Sequence, residues 1–216
     1  MPGPIQSRED LLRWIDGSVL GDLRTLRLGV AMQRKADGRQ ADGRVLGGAN
    51  YLLVAGCCMA LEYLNFVYTG KQDSAVPFMR RFMSPTNERY GLVAELFWEC
   101  FRHGPVHKSW PQLVVVDGDS DLPLILGVAQ DAPWEHLCSR SLKGRTAFLV
   151  CASTLLRDIE QSVDERFGPW IMNESPNEVL HRGNPPEKRI PMDARLLSGQ
   201  IGMVRSWKSP EPELSS

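Results

Sequence analysis

Apolar residues recur at spacings of three and four near the start of the chain, which is the repeat of one face of an α-helix. The members of this face are Leu12, Ile15, Val19, Leu23, Leu26 and Val30. Ser7 precedes the repeat and is predicted to cap the helix, because a serine hydroxyl can accept a hydrogen bond from the first turn. Residues 45 to 68 are apolar on nearly all sides, which predicts a buried central helix.

The period of the pattern changes twice further along the chain. Residues 73 to 83 and 87 to 101 predict two more helices. Two β-branched apolar runs then flank Gly118-Asp-Ser-Asp121, which predicts a β-hairpin over 112 to 129. Residues 145 to 167 again place apolar side chains on one face, and this pattern predicts the most amphipathic helix of the chain.

These elements predict a mainly α fold, a helical bundle of four to five helices with one small β-hairpin insert. Residues 1 to 172 are expected to form this domain. From residue 173 to 216 the composition shifts to proline, serine, glycine and mixed charge, which predicts a largely disordered polar tail.

Composition limits the kinds of partner the chain can have. Its 25 basic and 26 acidic residues argue against a globally basic surface for nucleic acid, although not against a local basic cleft. The longest apolar run, from about Tyr51 to Leu64, is too short for a membrane span, and it carries the charged residue Glu62 near its end. The first residues contain no hydrophobic stretch of a secretory signal. The odd number of cysteines indicates reduced core thiols, so a cytoplasmic protein without membrane contact is expected.

The candidate chemistry lies in the stretch Arg102-His103-Gly104-Pro105-Val106-His107, the RH motif. Cleavage of a phosphodiester requires a group that moves protons and a fixed cation that holds the phosphate. A histidine and an arginine supply both without a metal ion. The motif follows directly on the predicted helix 87 to 101, so it is expected at the end of a buried helix.

The RH motif resembles the R-[NDH]-x(3–5)-H signature of the HEPN superfamily, whose members are small α-helical bundles. Further stretches are similar to a recurring set of bacterial and archaeal proteins with the pattern N-[FY]-L, E, F-M, Y and R-x-G-L-V-H. Those stretches are Gly48-Ala-Asn-Tyr-Leu52, Glu62, Phe82-Met83, Tyr90 and Phe101 to His107. The similarity covers roughly residues 45 to 130.

The resemblance implies a metal-independent endoribonuclease of the toxin or defence type, in which two protomers bring their motifs to one cleft. His107 would then act as the acid or base, and Arg102 would hold the scissile phosphate. His103 would orient the site, and Glu62 would anchor Arg102. The implied partners are a second copy of the chain, RNA and a cognate protein, and no metal or cofactor is implied.

A non-catalytic reading of the same residues stays open. Arg102 can be tied to Glu62 while His107 caps a helix end, which would leave a helical interaction or dimerisation module. Pro105 supports this alternative because it lacks the N–H of a helical turn. Ser109 supports it too, since it stands where the superfamily often has tyrosine.

Basic and aromatic residues near the motif also have two interpretations. The basic residues that could line a path for RNA phosphates are Arg80, Arg81, Arg89 and Lys108. Scattered basic side chains more often solvate a surface. Trp98 can stack on a base or pack in the core.

No other motif adds a reaction. Asp117, Asp119 and Asp121 resemble the start of a calcium loop, but the glycine and the closing glutamate of that loop are missing. His136 and Cys138 have no two further metal ligands near them in sequence, so no metal site is expected. Phosphate-binding and dinucleotide-binding glycine motifs do not occur.

Overall fold

The computed structural model describes residues 5–36, 50–72, 74–101, 114–116, 122–129, 136–142 and 145–183. The first helical segment consists of α1 (Arg8–Trp14), a π-helical stretch π1 (Ile15–Leu20) and α2 (Gly21–Ala36). Ser7 caps it as predicted, because its hydroxyl accepts from the Asp10 N–H at 3.0 Å. The Asp10 carboxylate accepts from the Ser7 N–H in return, which completes a capping box.

The next helices form the centre of the bundle. They are α3 (Asn50–Thr69), α4 (Val76–Phe78), its π-helical continuation π2 (Met79–Met83) and α5 (Arg89–Phe101). Helix α3 ends at Gly70, which has φ of 75° and so adopts the left-handed conformation that glycine accepts without strain. These helices confirm the expected positions of the central, third and fourth helices.

Four strands of the described residues form one sheet in the order β1-β2-β4-β3. They are β1 (Val114–Val116), β2 (Leu122–Ala129), β3 (Cys138–Leu142) and β4 (Arg145–Cys151). Strands β1 and β2 are antiparallel, which confirms the predicted hairpin. Strand β4 pairs parallel with β2 and antiparallel with β3, so it is an interior strand.

The prediction of a helix from residue 145 was wrong over Arg145–Cys151. Residues 147 to 151 are all buried, because β4 lies between two strands and is covered by the bundle. An interior strand covered in this way carries a continuous apolar run, which periodicity alone does not distinguish from a buried helix. The sheet is therefore larger than the single hairpin insert that was expected.

The last described helices are α6 (Ala152–Ser162), its π-helical continuation π3 (Val163–Phe167), α7 (Gly168–Asn173) and α8 (Pro176–Gly183). The mainly α fold with a β-hairpin is confirmed, and the described residues contain six continuous helical segments rather than four to five.

Helix α8 corrects the expected start of the tail at residue 173. Val179 is buried, and Arg182 Nη1 donates to the Tyr68 carbonyl at 2.6 Å at the end of α3. The described residues between 5 and 183 belong to one compact unit. Residues 184 to 216, which hold the rest of the predicted tail, lie outside the described residues.

Candidate functional site

The structure describes the helix that leads into the RH motif, although Arg102, His103, His107 and Lys108 themselves lie outside the described residues. Helix α5 ends at Phe101, whose side chain is fully buried. The Phe101 ring packs against Phe97, with ring centroids 5.3 Å apart, and against Phe148 of β4 at 6.1 Å. The motif therefore follows directly on a helix end that is fixed in the core.

The other predicted site residues occupy two helical segments. Glu62 lies in α3 and is half-buried, and α3 packs against α5. Arg80 and Arg81 lie in π2 and are exposed. Arg80 forms an ion pair with Glu95 of α5 at 2.5 Å. Glu95 precedes Phe101 by six residues, which is about 9 Å of helix, so this ion pair is on the helix that carries the motif.

Trp98 is buried in the core of the fold, with 4% of its surface exposed. It is therefore not available to stack on a base in this conformation, and of its two interpretations the structure supports the core role. All five cysteines are reduced, as the sequence analysis expected, and all of them except Cys138 are buried.

A cluster of polar groups, buried except for the side chain of Arg157, joins the sheet to the helices, and sequence analysis did not anticipate it. Its members, the polar seam, are Tyr90, His136, Cys151, Arg157 and Asp158. Tyr90 comes from α5, while Arg157 and Asp158 come from α6. His136 lies in the turn before β3, and Cys151 ends β4. The side chains of Tyr90, His136 and Asp158 are almost completely removed from solvent.

Hydrogen bonds in the polar seam define the tautomer of His136. The Cys151 N–H donates to Nδ1 of His136 at 3.1 Å, so Nδ1 carries no proton. The neutral ring then has its proton on Nε2, which donates to the Tyr90 hydroxyl oxygen at 2.7 Å. The Tyr90 hydroxyl in turn donates to Oδ2 of Asp158 at 3.1 Å. Each donor in this chain has one acceptor, so the direction of every bond is fixed.

Two arginines bind the ends of the polar seam: Arg157, which belongs to it, and the neighbouring Arg89. Arg157, whose side chain is 60% exposed, donates from Nε and Nη2 to Oδ1 of Asp158 at 3.2 and 3.1 Å. Arg89 of α5 donates from Nη1 to the His136 carbonyl at 2.9 Å. The Asp158 carboxylate is therefore held between a buried tyrosine and a partly exposed guanidinium group.

Burial dominates the titration of the polar seam. Removal from water, together with the positive charges of Arg157 and Arg89, lowers the pKa of His136 to about 3. Burial also raises the pKa of the Asp158 carboxyl, against the opposing effect of Arg157. The pKa of the Tyr90 hydroxyl is raised well above its usual value by burial and by the nearby Asp158. Nε2 of His136 lies 3.9 Å from Oδ2 of Asp158, but the two side chains form no ion pair because the histidine is neutral.

The turn that holds His136 contains a strained residue. Leu137 has φ of 52°, a left-handed conformation that is an outlier for a large side chain, and it is buried. The three bonds to His136, from Cys151, Arg89 and to Tyr90, hold the neighbouring backbone in this conformation. Strain of this kind persists only where the surroundings over-determine it.

The polar seam is built to connect elements rather than to react with a substrate. Its hydrogen bonds are internal, and its three central side chains are closed to solvent. Among the described residues no three histidine, cysteine, aspartate or glutamate side chains are arranged to hold a metal ion. One signal in the sequence was available, because Asp158 follows Leu155 by three residues and thus adjoins the apolar face of its helix.

Helix α3 presents a second feature of interest on its outer face. Leu52 and Met59 are each 61% exposed and lie seven residues apart, so they share one side of the helix. They form the exposed stripe. Within the described part of the chain, Tyr51–Thr69 is the one helix long and apolar enough to cross a membrane, and 56% of its most apolar window is buried inside the fold.

Comparisons of the chain with family models, with curated proteins and with solved structures found no match.

Proposed function

We propose that this protein is a HEPN-like, metal-independent endoribonuclease that cleaves RNA through the RH motif. The observation that carries the proposal is the position of the motif after α5. Phe101 is buried between Phe97 and Phe148, so the residue that follows it starts from a fixed point. A catalytic arginine requires such a support, because small errors of position lower the rate of phosphoryl chemistry strongly.

The proposed roles follow from the chemistry of the side chains. His107 transfers protons to and from the ribose 2′-hydroxyl or the leaving oxygen, and Arg102 stabilises the charge on the phosphate. His103 orients the site, and the half-buried Glu62 of α3 anchors Arg102. No metal or cofactor takes part.

The RNA path and the assembly are further parts of the proposal. Arg80 and Arg81 are exposed on π2, which packs against α5, and with Lys108 they line a path for the RNA backbone. Two copies of the chain pair in the cytoplasm so that both motifs face one cleft. A cognate protein controls the activity, as toxin- and defence-type enzymes require.

RNA cleavage by the purified protein in EDTA tests the proposal. Wild type is expected to cut single-stranded or structured RNA, and His107→Ala and Arg102→Ala are expected to lose at least a hundredfold in rate. His181→Ala is the matched control, since His181 is exposed on α8 and belongs to no part of the motif. Intact RNA with wild type, or equal cleavage by His107→Ala, would contradict the proposal.

A second candidate is a non-catalytic helical dimerisation module, and the exposed stripe favours it. Leu52 and Met59 are exposed to solvent on a helix whose other side packs in the core. Burying a large aliphatic side chain contributes about 1.5–3 kcal/mol. In a two-fold dimer both copies would bury Leu52 and Met59, which would make the free energy of association substantially more favourable. Sequence features that support this candidate are Pro105 and Ser109.

Sedimentation equilibrium distinguishes this candidate. Wild type is expected to form a dimer at micromolar concentration, and Met59→Glu is expected to be a monomer because a carboxylate in an apolar interface is costly. Leu92→Glu is the control, since Leu92 is 77% exposed but lies on a different helix, α5. A wild type that remains monomeric, or Met59→Glu and Leu92→Glu variants of equal dimer affinity, would exclude the stripe as the interface.

A further inference from the structure

The polar seam lies at one end of the β3–β4 pair, where the sheet meets the helices. Strands β3 and β4 are antiparallel, with Cys138 opposite Leu149. His136 therefore precedes β3 at the same end at which Cys151 closes β4. The bond from the Cys151 N–H to His136 Nδ1 ties these two chain segments together at 3.1 Å. Tyr90 and Asp158 then tie the histidine to α5 and α6.

We propose that the polar seam is an acid-sensitive latch: uptake of one proton by His136 releases its turn and the edge strand β3 that follows from the end of β4, α5 and α6. Nothing in this mechanism uses the RH motif or the exposed stripe. The latch is therefore independent of both proposed functions, and its test is independent of theirs.

The docked arrangement has no place for a second proton on the ring. Nε2 already carries one and donates it to Tyr90, so the added proton must go to Nδ1. A protonated Nδ1 would point its N–H at the Cys151 N–H, and two donors repel where one bond existed. Once the ring is released into water it accepts the proton at the ordinary pH of histidine, so acid favours the released state.

The local backbone favours release in the same direction. Leu137 holds a left-handed conformation only while its neighbour is fixed from three sides. Loss of the Cys151 bond lets this residue return to an ordinary conformation. The strain thus acts against the latch at all pH values, and the hydrogen bonds of His136 oppose it.

Other charged and titratable groups face the ring from each neighbouring helix. Arg89 and Arg157 are cationic and oppose a positive ring in the docked state. Tyr90 stays protonated, and Cys57 of α3 lies near it as a neutral thiol whose pKa is raised by burial. Asp158 acts in the opposite direction, because burial raises its pKa and a proton on its carboxyl favours the docked state. A variant at His136 retains Asp158 and so isolates the contribution of the histidine.

Hydrogen exchange followed by mass spectrometry tests the latch on the whole chain. The protection of peptides that cover β3 is expected to fall about tenfold between pH 7.5 and 5.5 after correction for the intrinsic exchange rate. Peptides from α3 are expected to be more protected than β3 at every pH, since they lie in the bundle core and exchange only when the core opens. His136→Gln is expected to lose this pH dependence, and His181→Gln, the control at an exposed histidine, is expected to retain it.

The outcome that overturns the latch is equally specific. A wild type whose β3 peptides keep constant protection down to pH 5.5 contradicts it. Equal protection of β3 and α3 at each pH contradicts it as well, because that result indicates that both exchange through unfolding of the whole domain rather than through release of β3.

A second measurement on the wild type covers the case in which His136→Gln fails to fold. NMR of ¹⁵N-labelled histidine is expected to show His136 as the neutral Nε2–H tautomer at pH 7.5. As the pH falls, a separate protonated signal is expected to grow only in proportion to the fraction of molecules in which β3 is released, while the docked ring keeps this tautomer down to pH 5.5. One ring signal that titrates near pH 6.5 while the β3 amides stay protected would overturn the proposal.

Discussion

The aromatic cluster of the bundle and the polar seam hold the same fold together by opposite means. The cluster consists of Tyr68, Phe78, Phe82, Phe167 and Trp170, with neighbouring ring centroids 5.0 to 5.9 Å apart. Its attraction comes from buried area and dispersion, which have little directional preference. The polar seam buries less apolar surface but fixes each donor to one acceptor. The cluster therefore supplies stability, while the seam determines where the sheet docks and under which conditions.

The first way to sharpen this comparison is to remove one ring from the aromatic cluster. Phe82→Ala is expected to lower the free energy of unfolding by about 3–5 kcal/mol, because the cavity left by the ring adds to the lost transfer energy. Urea denaturation measures the change. Leu92→Ala serves as the control, since that side chain is 77% exposed and its loss should cost less than about 0.5 kcal/mol. Equal effects of the two changes would show that the cluster is not a packed core.

The second test removes one hydroxyl from the polar seam and leaves its ring in place. Tyr90→Phe is expected to lower the free energy of unfolding by about 1–3 kcal/mol, because His136 Nε2–H loses its acceptor and Asp158 loses a donor inside the core. The same urea experiment measures it, with Leu92→Ala, at a position 77% exposed, as the control. A Tyr90→Phe variant as stable as wild type would show that these bonds contribute nothing net.

The same contrast explains how much the sequence predicts. Ser7 and the helical repeat after it are local signals, and the structure confirms both the cap and the helix. Strand β4 was missed because an interior strand has no alternation to distinguish it from a buried helix. The polar seam was missed for a different reason. Tyr90, His136 and Asp158 are 46 and 22 residues apart in sequence, and only the folded chain brings them within hydrogen-bonding distance.

The candidate site divides in the same way. The RH motif is contiguous, so its residues were found from the sequence, and its place at the end of α5 follows from the helical repeat before it. What a motif cannot supply is the orientation of side chains, which depends on packing between distant elements. The half-buried position of Glu62 and the ion pair of Arg80 with Glu95 are of this second kind.

The third test uses pH, which changes the charge of groups in the polar seam but not of the aromatic cluster. The folded-state pKa of His136 is lowered to about 3, whereas an unfolded histidine titrates near 6.5. Between these two pH values the unfolded chain binds one more proton at this site than the folded chain. The contribution of His136 to the free energy of unfolding is therefore complete above pH 6.5 and decreases as the pH falls below it. The contribution of His136 is expected to fall by about 1.4 kcal/mol in total between pH 7.5 and 5.5, and its slope approaches about 1.4 kcal/mol per pH unit only below that range. Asp158 offsets part of this loss of stability at the acidic end of the range, because its raised pKa makes the folded state bind a proton that the unfolded state does not.

Urea denaturation at several pH values between 7.5 and 5.5 measures this slope. His136→Gln is expected to reduce it by the contribution of one group, and Phe82→Ala is expected to lower the stability equally at every pH. The first variant would change how stability depends on pH and the second only its size, as expected if the polar seam titrates and the aromatic cluster does not. A wild type and a His136→Gln variant with identical pH dependence would contradict the assignment of a neutral, buried His136.

The smallest expected effect concerns a hydrogen bond of the same kind as those in the polar seam, placed at the surface. The Ser7 hydroxyl accepts from the Asp10 N–H at 3.0 Å in a partly buried capping box. Ser7→Ala is expected to lower the free energy of unfolding by about 1 kcal/mol in urea, because water can replace part of the lost bond. Ser7→Asp, which keeps an acceptor at the cap, is expected to retain most of the stability. If Ser7→Ala cost more than Tyr90→Phe, burial would not be what makes the bonds of the polar seam strong, and the comparison between the two regions would have to rest on geometry alone.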